Sequence, residues 1–196
     1  MELQHINVKL YLENSGNVDL EALIPVFHNW IQDQICEELL IDVADYRHVH
    51  AGPGVVLIGH EADYSVDNTD CRLGIRYNRK AMLGGSNEDR LNQALRAALV
   101  ACQRLESDTR LEGKIRFDRQ EMQLFINDRL TAPNLEDTFT ALKPELEVFF
   151  QKLFEGNGLS LNHNRDPRRL LSVAVKATKP LDLDALLENL SSCASD

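Results

Sequence analysis

Cysteine is scarce in this sequence, and the few cysteines lie far apart. Four occur in 196 residues, at Cys36, Cys71, Cys102 and Cys193. None belongs to a CxxC pair, so the ligand spacing of a zinc ribbon is missing. Isolated cysteines are typical of free thiols in a reducing compartment, which predicts a cytoplasmic protein.

Long hydrophobic runs are missing too. The longest clean apolar runs are only a few residues, such as Val55-Val56-Leu57-Ile58, whereas a transmembrane helix needs about 20 such residues. The N-terminal segment MELQHINVKLYLEN alternates apolar and polar residues and has no basic beginning, so it does not read as a signal peptide. The sequence therefore predicts a soluble protein with no membrane partner.

Positive charge is in deficit. The chain has 21 Lys and Arg residues against 31 Asp and Glu residues, which gives a formal net charge of −10. A protein of this charge repels phosphate backbones and anionic lipids at long range, so nucleic acids and membranes are disfavoured as partners. A local basic patch could still bind a single phosphate group.

Common catalytic and nucleotide-binding motifs are absent as well. The sequence contains no GxSxG, HExxH, GxxxxGK[ST] or GxGxxG. No motif therefore assigns a reaction or a cofactor, and the sequence leaves open whether the chain is an enzyme.

What the sequence does contain is a regular series of strand-like and helix-like patterns. It is 43% hydrophobic and 27% charged, as is typical of a globular protein. Apolar residues that recur every second position predict strands, and those that recur every three or four positions predict helices. The predicted strands are 5–12, 55–66, 72–78, 114–117, 121–127, 159–163 and 170–176, and the predicted helices are 19–45, 86–105, 134–155 and 182–190.

Prolines and capping residues mark where the predicted helices bend or begin. Pro25 and Pro144 fall within helical patterns, where proline is expected to kink or split the helix. Ser86 with Asp89 predicts a capping box at one helix start, and Asn134 is the predicted N-cap of another.

The resulting element order, βαββαββαββα, predicts an α+β protein with a mostly antiparallel sheet and helices packed on one face. It also fits two fused ferredoxin-like halves, residues 1–119 and 120–190, the second without its last strand. We expect residues 1–190 to form one compact domain and residues 191–196 to form a frayed tail.

Strand alternation predicts two different sheet faces. The residues expected under the helices are Ile6, Val8, Leu10, Leu73, Ile75, Tyr77, Leu124, Ile126, Leu159, Leu161, Leu171, Val173 and Val175. Those expected on the opposite face are Asn7, Lys9, Tyr11, Arg72, Arg76, Arg116, Asp118, Asn162 and Ser172. Because this second set is polar, it is expected to meet water or a polar partner.

Residues 46–80 carry the densest set of candidate functional side chains. His48, His50 and His60 are ligand types for zinc, iron or manganese, which makes a divalent metal a candidate cofactor. Glu61 or Asp63 could act as a general base beside His60. On an extended strand, however, His60 points to one side and Glu61 and Asp63 to the other, so a catalytic set would need residues from elsewhere.

A second candidate site is an anion-binding one. Arg76, Arg79 and Lys80 precede the turn Gly84-Gly85-Ser86, which opens a predicted helix. Backbone N–H groups at a helix start bind anions, and the basic residues would add charge.

Three functions follow as hypotheses. The first is a binding or interaction protein that uses residues 46–80 or the open sheet face to hold a protein partner, a second copy or a small ligand. The second is a metal-dependent, hydrolase-like enzyme that uses His48, His50 and His60 with a carboxylate. The third is a small-anion or nucleotide binder at Arg76, Arg79, Lys80 and Ser86.

Overall fold

The chain folds into an antiparallel sheet of eight strands with four α-helices packed against it. The computed structural model describes residues 1–13 and 18–193. The strands are β1 (Ile6–Leu12), β2 (Leu40–Tyr46), β3 (Gly54–Gly59), β4 (Ala62–Asp67), β5 (Gly74–Arg79), β6 (Phe117–Ile126), β7 (Leu159–His163) and β8 (Leu171–Ala177). The helices are α1 (Leu23–Gln32), α2 (Asn87–Ser107), α3 (Glu136–Leu153) and α4 (Leu183–Cys193).

The strands lie in the order β2-β3-β4-β5-β1-β6-β8-β7, and every pair is antiparallel. The first strand of the chain is thus central, between β5 and β6, while β2 and β7 form the two edges. The α+β class and the antiparallel sheet are confirmed. In the described part of the chain, no helix has both the length and the apolar character needed to cross a membrane.

The predicted helix over residues 19–45 is wrong in its second half. Helix α1 ends at Gln32, and residues 40–46 form the edge strand β2. The helix stops because Gln34 takes a left-handed backbone conformation, with φ of 49°. Residues 40–46, Leu-Ile-Asp-Val-Ala-Asp-Tyr, do not alternate between apolar and polar, so the sequence did not mark this edge strand. The predicted order βαββαββαββα is accordingly corrected to βαββββαβαββα.

Other predicted element boundaries also change. The strand over residues 55–66 is two strands, β3 and β4, with a tight turn between them, and the strands 114–117 and 121–127 are largely one strand, β6. Pro144 lies inside α3 without ending it. The N-cap of α3 is Leu135 rather than Asn134, whose side chain instead donates hydrogen bonds to the backbone oxygens of Asn164 and Asp166.

The ends of α1, α2 and α4 can be compared directly with their predictions. Pro25 is the third residue of α1, where no intrahelical N–H bond is lost and no kink is needed. The capping box predicted at Ser86 and Asp89 is present at the start of α2. Helix α4 extends to Cys193, and residues 194–196 of the predicted tail lie outside the described part.

The alternation predicted for the sheet agrees with the observed register. Ile6, Val8 and Leu10 of β1 each lie opposite an apolar residue of β6. Val8 and Leu10 also lie opposite apolar residues of β5. All three are buried in the core. Helix α2 contacts β1 and β5, and α4 packs on α2. The core thus lies between one face of the sheet and the helices.

The opposite face is more enclosed than its polar sequence suggests. Lys9 is 2% exposed, and its Nζ lies 2.6 Å from Oδ1 of Asp67, which is also buried. The β4–β5 connection contributes to this enclosure, because the backbone oxygen of Thr69 accepts a second hydrogen bond from Lys9. Arginines cover neighbouring aromatic rings, with Arg72 over Tyr11 at 3.5 Å. Burial lowers the pKa of Lys9, so its charge depends on the carboxylate beside it.

The buried Lys9–Asp67 pair leads to a stability prediction. We expect Asp67→Asn to lower the free energy of unfolding by about 3–5 kcal/mol, because the charge of Lys9 would remain buried without its partner. Asp70→Asn, which removes a more exposed pair with Arg169, should cost no more than about 1 kcal/mol. Urea unfolding at neutral pH compares the two variants. Equal losses would contradict the role assigned to the buried pair.

Candidate functional site

A concavity lies between α2 and the connection from α1 to β2. Its volume is about 440 Å³, within the range typical of small-molecule sites. Trp30 of α1 and Tyr64 of β4 contribute its aromatic surface. The remaining lining residues are Ile35, Cys36, Glu37 and Glu38 of the connection and Gln93, Arg96, Ala97, Val100, Ala101 and Arg104 of α2.

A buried carboxylate ties the wall of this cavity to the sheet. Strand alternation places Tyr64 and Tyr77 on the helix-facing side of β4 and β5. Each hydroxyl donates a 2.9 Å hydrogen bond to Glu38, one to each carboxylate oxygen. Gln93 donates from α2 to the hydroxyl of Tyr77 at 2.8 Å and, at 3.4 Å, to Glu38. The cluster therefore joins the α1–β2 connection, two strands and one helix.

The electrostatics of this cluster favour one protonation arrangement. Burial raises the pKa of both Tyr64 and Tyr77 well above the usual range, and the negative charge of Glu38 adds to the effect. Both phenols therefore remain neutral donors at physiological pH. Glu38 is only 8% exposed, and three donors compensate the cost of burying it.

Cys36 is the thiol of the cavity, and it is not activated. Burial raises its pKa from 9.0 to about 11. Because the thiolate is the reactive form, a neutral thiol in this position is a poor nucleophile at physiological pH.

Two polar atoms in the cavity lining are buried without a hydrogen-bond partner. They are Nε of Arg104, a donor, and Oε1 of Gln93, an acceptor. Arg96 donates to the hydroxyl of Ser191. Within the described ranges, neither Arg96 nor Arg104 lies within ion-pair distance of a carboxylate. Both atoms are closed off from solvent, so a molecule in the cavity cannot reach them without a rearrangement.

The histidines predicted as metal ligands lie apart from this cavity. His48 and His50 are exposed in the β2–β3 loop, and His60 is exposed in the β3–β4 turn. Across residues 1–13 and 18–193, no three His, Cys, Asp or Glu side chains are grouped so that they could hold a metal ion. The metal hypothesis gains no support from the geometry.

The two carboxylates predicted as bases have structural partners. Glu61 accepts a hydrogen bond from the backbone N–H of Leu39 at 3.3 Å. Asp63 accepts from the backbone N–H of Gly59, and Nζ of Lys80 lies 2.7 Å from the same carboxylate. Both hold the β3–β4 turn to its neighbours.

The predicted anion site is divided between different parts of the fold. The β5 register places Arg76 on the open face, stacked 4.5 Å over Phe125. Arg79, three residues later, bonds the backbone oxygen of Ala81. Lys80 pairs with Asp63, and the Ser86 hydroxyl accepts from Asp89 N–H in the capping box. Strand residues three apart point to opposite sides, so these groups do not converge on one ligand.

Sequence reasoning missed the cavity for an identifiable reason. Glu38 fell inside the helix predicted over 19–45, so nothing marked it as a buried acid. On α2, a signal was present: Gln93, Ala97, Val100 and Arg104 recur every three or four positions, with polar groups at both ends of the series.

Comparison with known proteins does not assign this chain to a family. No protein-family model matches the chain, and no curated protein matches it either.

The state of Cys36 can be measured by its rate of alkylation with iodoacetamide. Peptide mass spectrometry can follow this one residue in the native chain. We expect the rate to rise about tenfold per pH unit from about pH 8 to about pH 10, because the thiolate fraction is still small throughout this range. In urea, the same peptide should level off about two units earlier, at the ordinary thiol pKa. A native profile that levels off near pH 9 would contradict the burial of this thiol.

Proposed function

We propose that this chain is a binding protein and that the cavity between α2 and the α1–β2 connection holds a small organic molecule. The observation that carries the proposal is a cavity of about 440 Å³ that combines the aromatic surface of Trp30 and Tyr64 with the charged side chains of Arg96 and Arg104. Preformed, partly apolar pockets with a few placed polar groups are typical of ligand sites. Tyr64 and Tyr77 belong to the segment 46–80, where the sequence predicted the function to lie.

Binding is favoured over catalysis by the chemistry of the lining. Glu38 already accepts hydrogen bonds from two tyrosines and Gln93, so it is not a free base. Cys36 is protonated at neutral pH. A nucleophile needs a base within hydrogen-bond reach, and the thiol of Cys36 has no such activating base in this cluster.

A protein partner at the β2 edge is the second candidate. Ile41 and Tyr46 of this edge strand are 56% and 44% exposed, and Leu39 just before it is 60% exposed. Exposed apolar edges favour pairing with another chain. Asp42 opposes such pairing, because its carboxylate accepts a hydrogen bond from the backbone N–H of Val43. We therefore favour the cavity over the β2 edge as the binding site.

We also infer that the sheet combines two ferredoxin-like units in one compact domain. The first unit is β1-α1-β4-β5-α2-β6, into which β2 and β3 are inserted, and its first strand lies between its third and fourth. The second is β6-α3-β7-β8-α4, and its first strand lies between its third strand and β1. The strand β6 thus belongs to both units, which would replace the predicted boundary at residues 119 and 120. The repeated placement supports this inference.

The proposed function can be tested with phenylnaphthylamine, a neutral apolar dye whose fluorescence rises in apolar sites. Trp30 is the single tryptophan of the chain and lines the cavity, so energy transfer from it reports on dye bound there. We expect saturable binding of one dye per chain. Ala97→Phe should weaken it at least about tenfold by filling the cavity, which corresponds to about 1.4 kcal/mol.

The matched control for this substitution is Ala141→Phe on the exposed side of α3. This variant should bind the dye like the natural chain. Absence of saturable binding in the natural chain, or equal affinities for the two variants, would overturn the proposed site.

A further inference from the structure

The open face of the sheet carries an arginine that has no hydrogen-bond acceptor among the described residues. Arg76 lies on β5, directly opposite Lys9 of β1 and Ser65 of β4. Its guanidinium stacks 4.5 Å from the centre of the Phe125 ring. The carboxylate within ion-pair distance is that of Asp67, whose Oδ2 lies 3.9 Å away, which is too far for a hydrogen bond.

The carboxylate of Asp67 is already taken by other donors. Its Oδ1 accepts from Nζ of Lys9 at 2.6 Å and from the backbone N–H of Thr69 at 2.9 Å. Its Oδ2 accepts from the hydroxyl of Thr69. Because Lys9 balances the charge of Asp67, Arg76 adds a further positive charge to this face. Burial lowers the pKa of Arg76, so a second negative group beside it would stabilise the charged guanidinium.

Arg76 can be reached from solvent, and two other polar groups lie beside it. Its side chain is 19% exposed, and no guanidinium nitrogen is among the unpaired atoms that are closed off from solvent. Ser65 lies opposite it, and Asn78 follows two residues later on the same face. Within the described ranges, the Ser65 hydroxyl and the Asn78 amide nitrogen also lack an acceptor, and neither is closed off. Three groups that can donate hydrogen bonds therefore lie together.

The chemistry of these donors favours a carboxylate of single charge. A guanidinium edge offers two parallel N–H groups, which match the two oxygens of a carboxylate. One uncompensated positive charge balances one negative charge, and the net charge of −10 disfavours more highly charged anions. Val56, which is partly exposed, lies directly opposite Ser65 on β3. Two strand spacings place it roughly 10 Å from Arg76, within reach of a short apolar chain.

We propose that the open face binds a small organic monocarboxylate, with its carboxylate on Arg76 and its apolar chain over Ser65 towards Val56. The residues of this site differ from those of the cavity, which lies on the helix side of the sheet. The two sites can therefore be tested separately. Arg76 was also a predicted anion-binding residue, but its neighbours in this site are Ser65 and Asn78 rather than Arg79 and Lys80.

NMR of the ¹⁵N-labelled chain tests the ligand class, because the Nε–H signal of Arg76 reports on this one side chain. The probes are hexanoate, hexanol and inorganic phosphate, added at constant pH and ionic strength. We expect hexanoate to shift the Arg76 signal saturably and phosphate to bind more weakly. Hexanol, which lacks the carboxylate, should leave the signal in place. An Arg76 signal that hexanoate does not move, or that hexanol or phosphate moves at lower concentration, would overturn the proposal.

The role of Arg76 is tested with Arg76→Gln and Arg76→Lys, using the backbone N–H signals of Ser65 and Asn78 as the readout. Arg76→Gln should weaken hexanoate binding at least about tenfold. Arg76→Lys keeps the charge but loses the paired N–H groups, so it should bind between the natural chain and Arg76→Gln. The spectrum of each variant also shows whether it is folded, and Arg76→Lys carries the test if Arg76→Gln is not. Natural affinity in Arg76→Lys would overturn the paired contact.

The matched control is Arg72→Gln, which removes the same charge from the same face. Arg72 also stacks on an aromatic ring, that of Tyr11, but it pairs with Glu121 at 2.7 Å. This variant should bind hexanoate almost as the natural chain does, because an arginine that is already paired is not the acceptor's partner. Equal losses in Arg72→Gln and Arg76→Gln would show general charge attraction and overturn the site.

A last comparison separates this site from the cavity. Ala97→Phe, which fills the cavity, should leave the hexanoate-induced shift of Arg76 unchanged. Loss of that shift in Ala97→Phe would assign hexanoate to the cavity and overturn the open-face site. Absence of dye binding in the cavity would overturn the proposed function and leave this inference standing.

Discussion

The carboxylate of Glu38 is the interaction on which the cavity depends. It precedes the edge strand β2, and it reaches across to the hydroxyls of Tyr64 and Tyr77 on the helix-facing side of the sheet. A charge buried this deeply is tolerated only when several donors surround it. Those donors come from β4, β5 and α2, so one residue fixes the separation between the α1–β2 connection and α2. The cavity is the space that this separation leaves.

The other face of the sheet is organised by a second buried charge. Lys9, in the central strand, pairs with Asp67 at the end of β4, and the connection that follows supplies Thr69 as a further acceptor. On each sheet face, groups from neighbouring elements therefore satisfy a buried charge. The two differ in their surroundings, because the Glu38 cluster borders a cavity whereas Lys9 is closed over by its neighbours. This difference is why the proposed cavity ligand lies on the helix side.

The sequence predicted the features that depend on local periodicity. Alternation in β1 and β8 assigned each side chain to its correct face, and the Ser86–Asp89 pair marked the start of α2. What failed depended on contacts distant in sequence. Glu38 looked like a helical surface acid because its partners are 26 and 39 residues away. Arg76 and Arg79 looked like one basic group until strand geometry separated them.

The most direct test of this account compares the dye affinities of Glu38→Gln and Glu37→Gln, two neighbouring substitutions that remove the same charge from the cavity lining. We expect Glu38→Gln to weaken dye binding by roughly tenfold or more, because an amide N–H would face a tyrosine donor and release the wall of the cavity. Glu37→Gln, at an exposed position, should bind as the natural chain does. Equal affinities for the two variants, with both chains folded, would contradict the central role of Glu38.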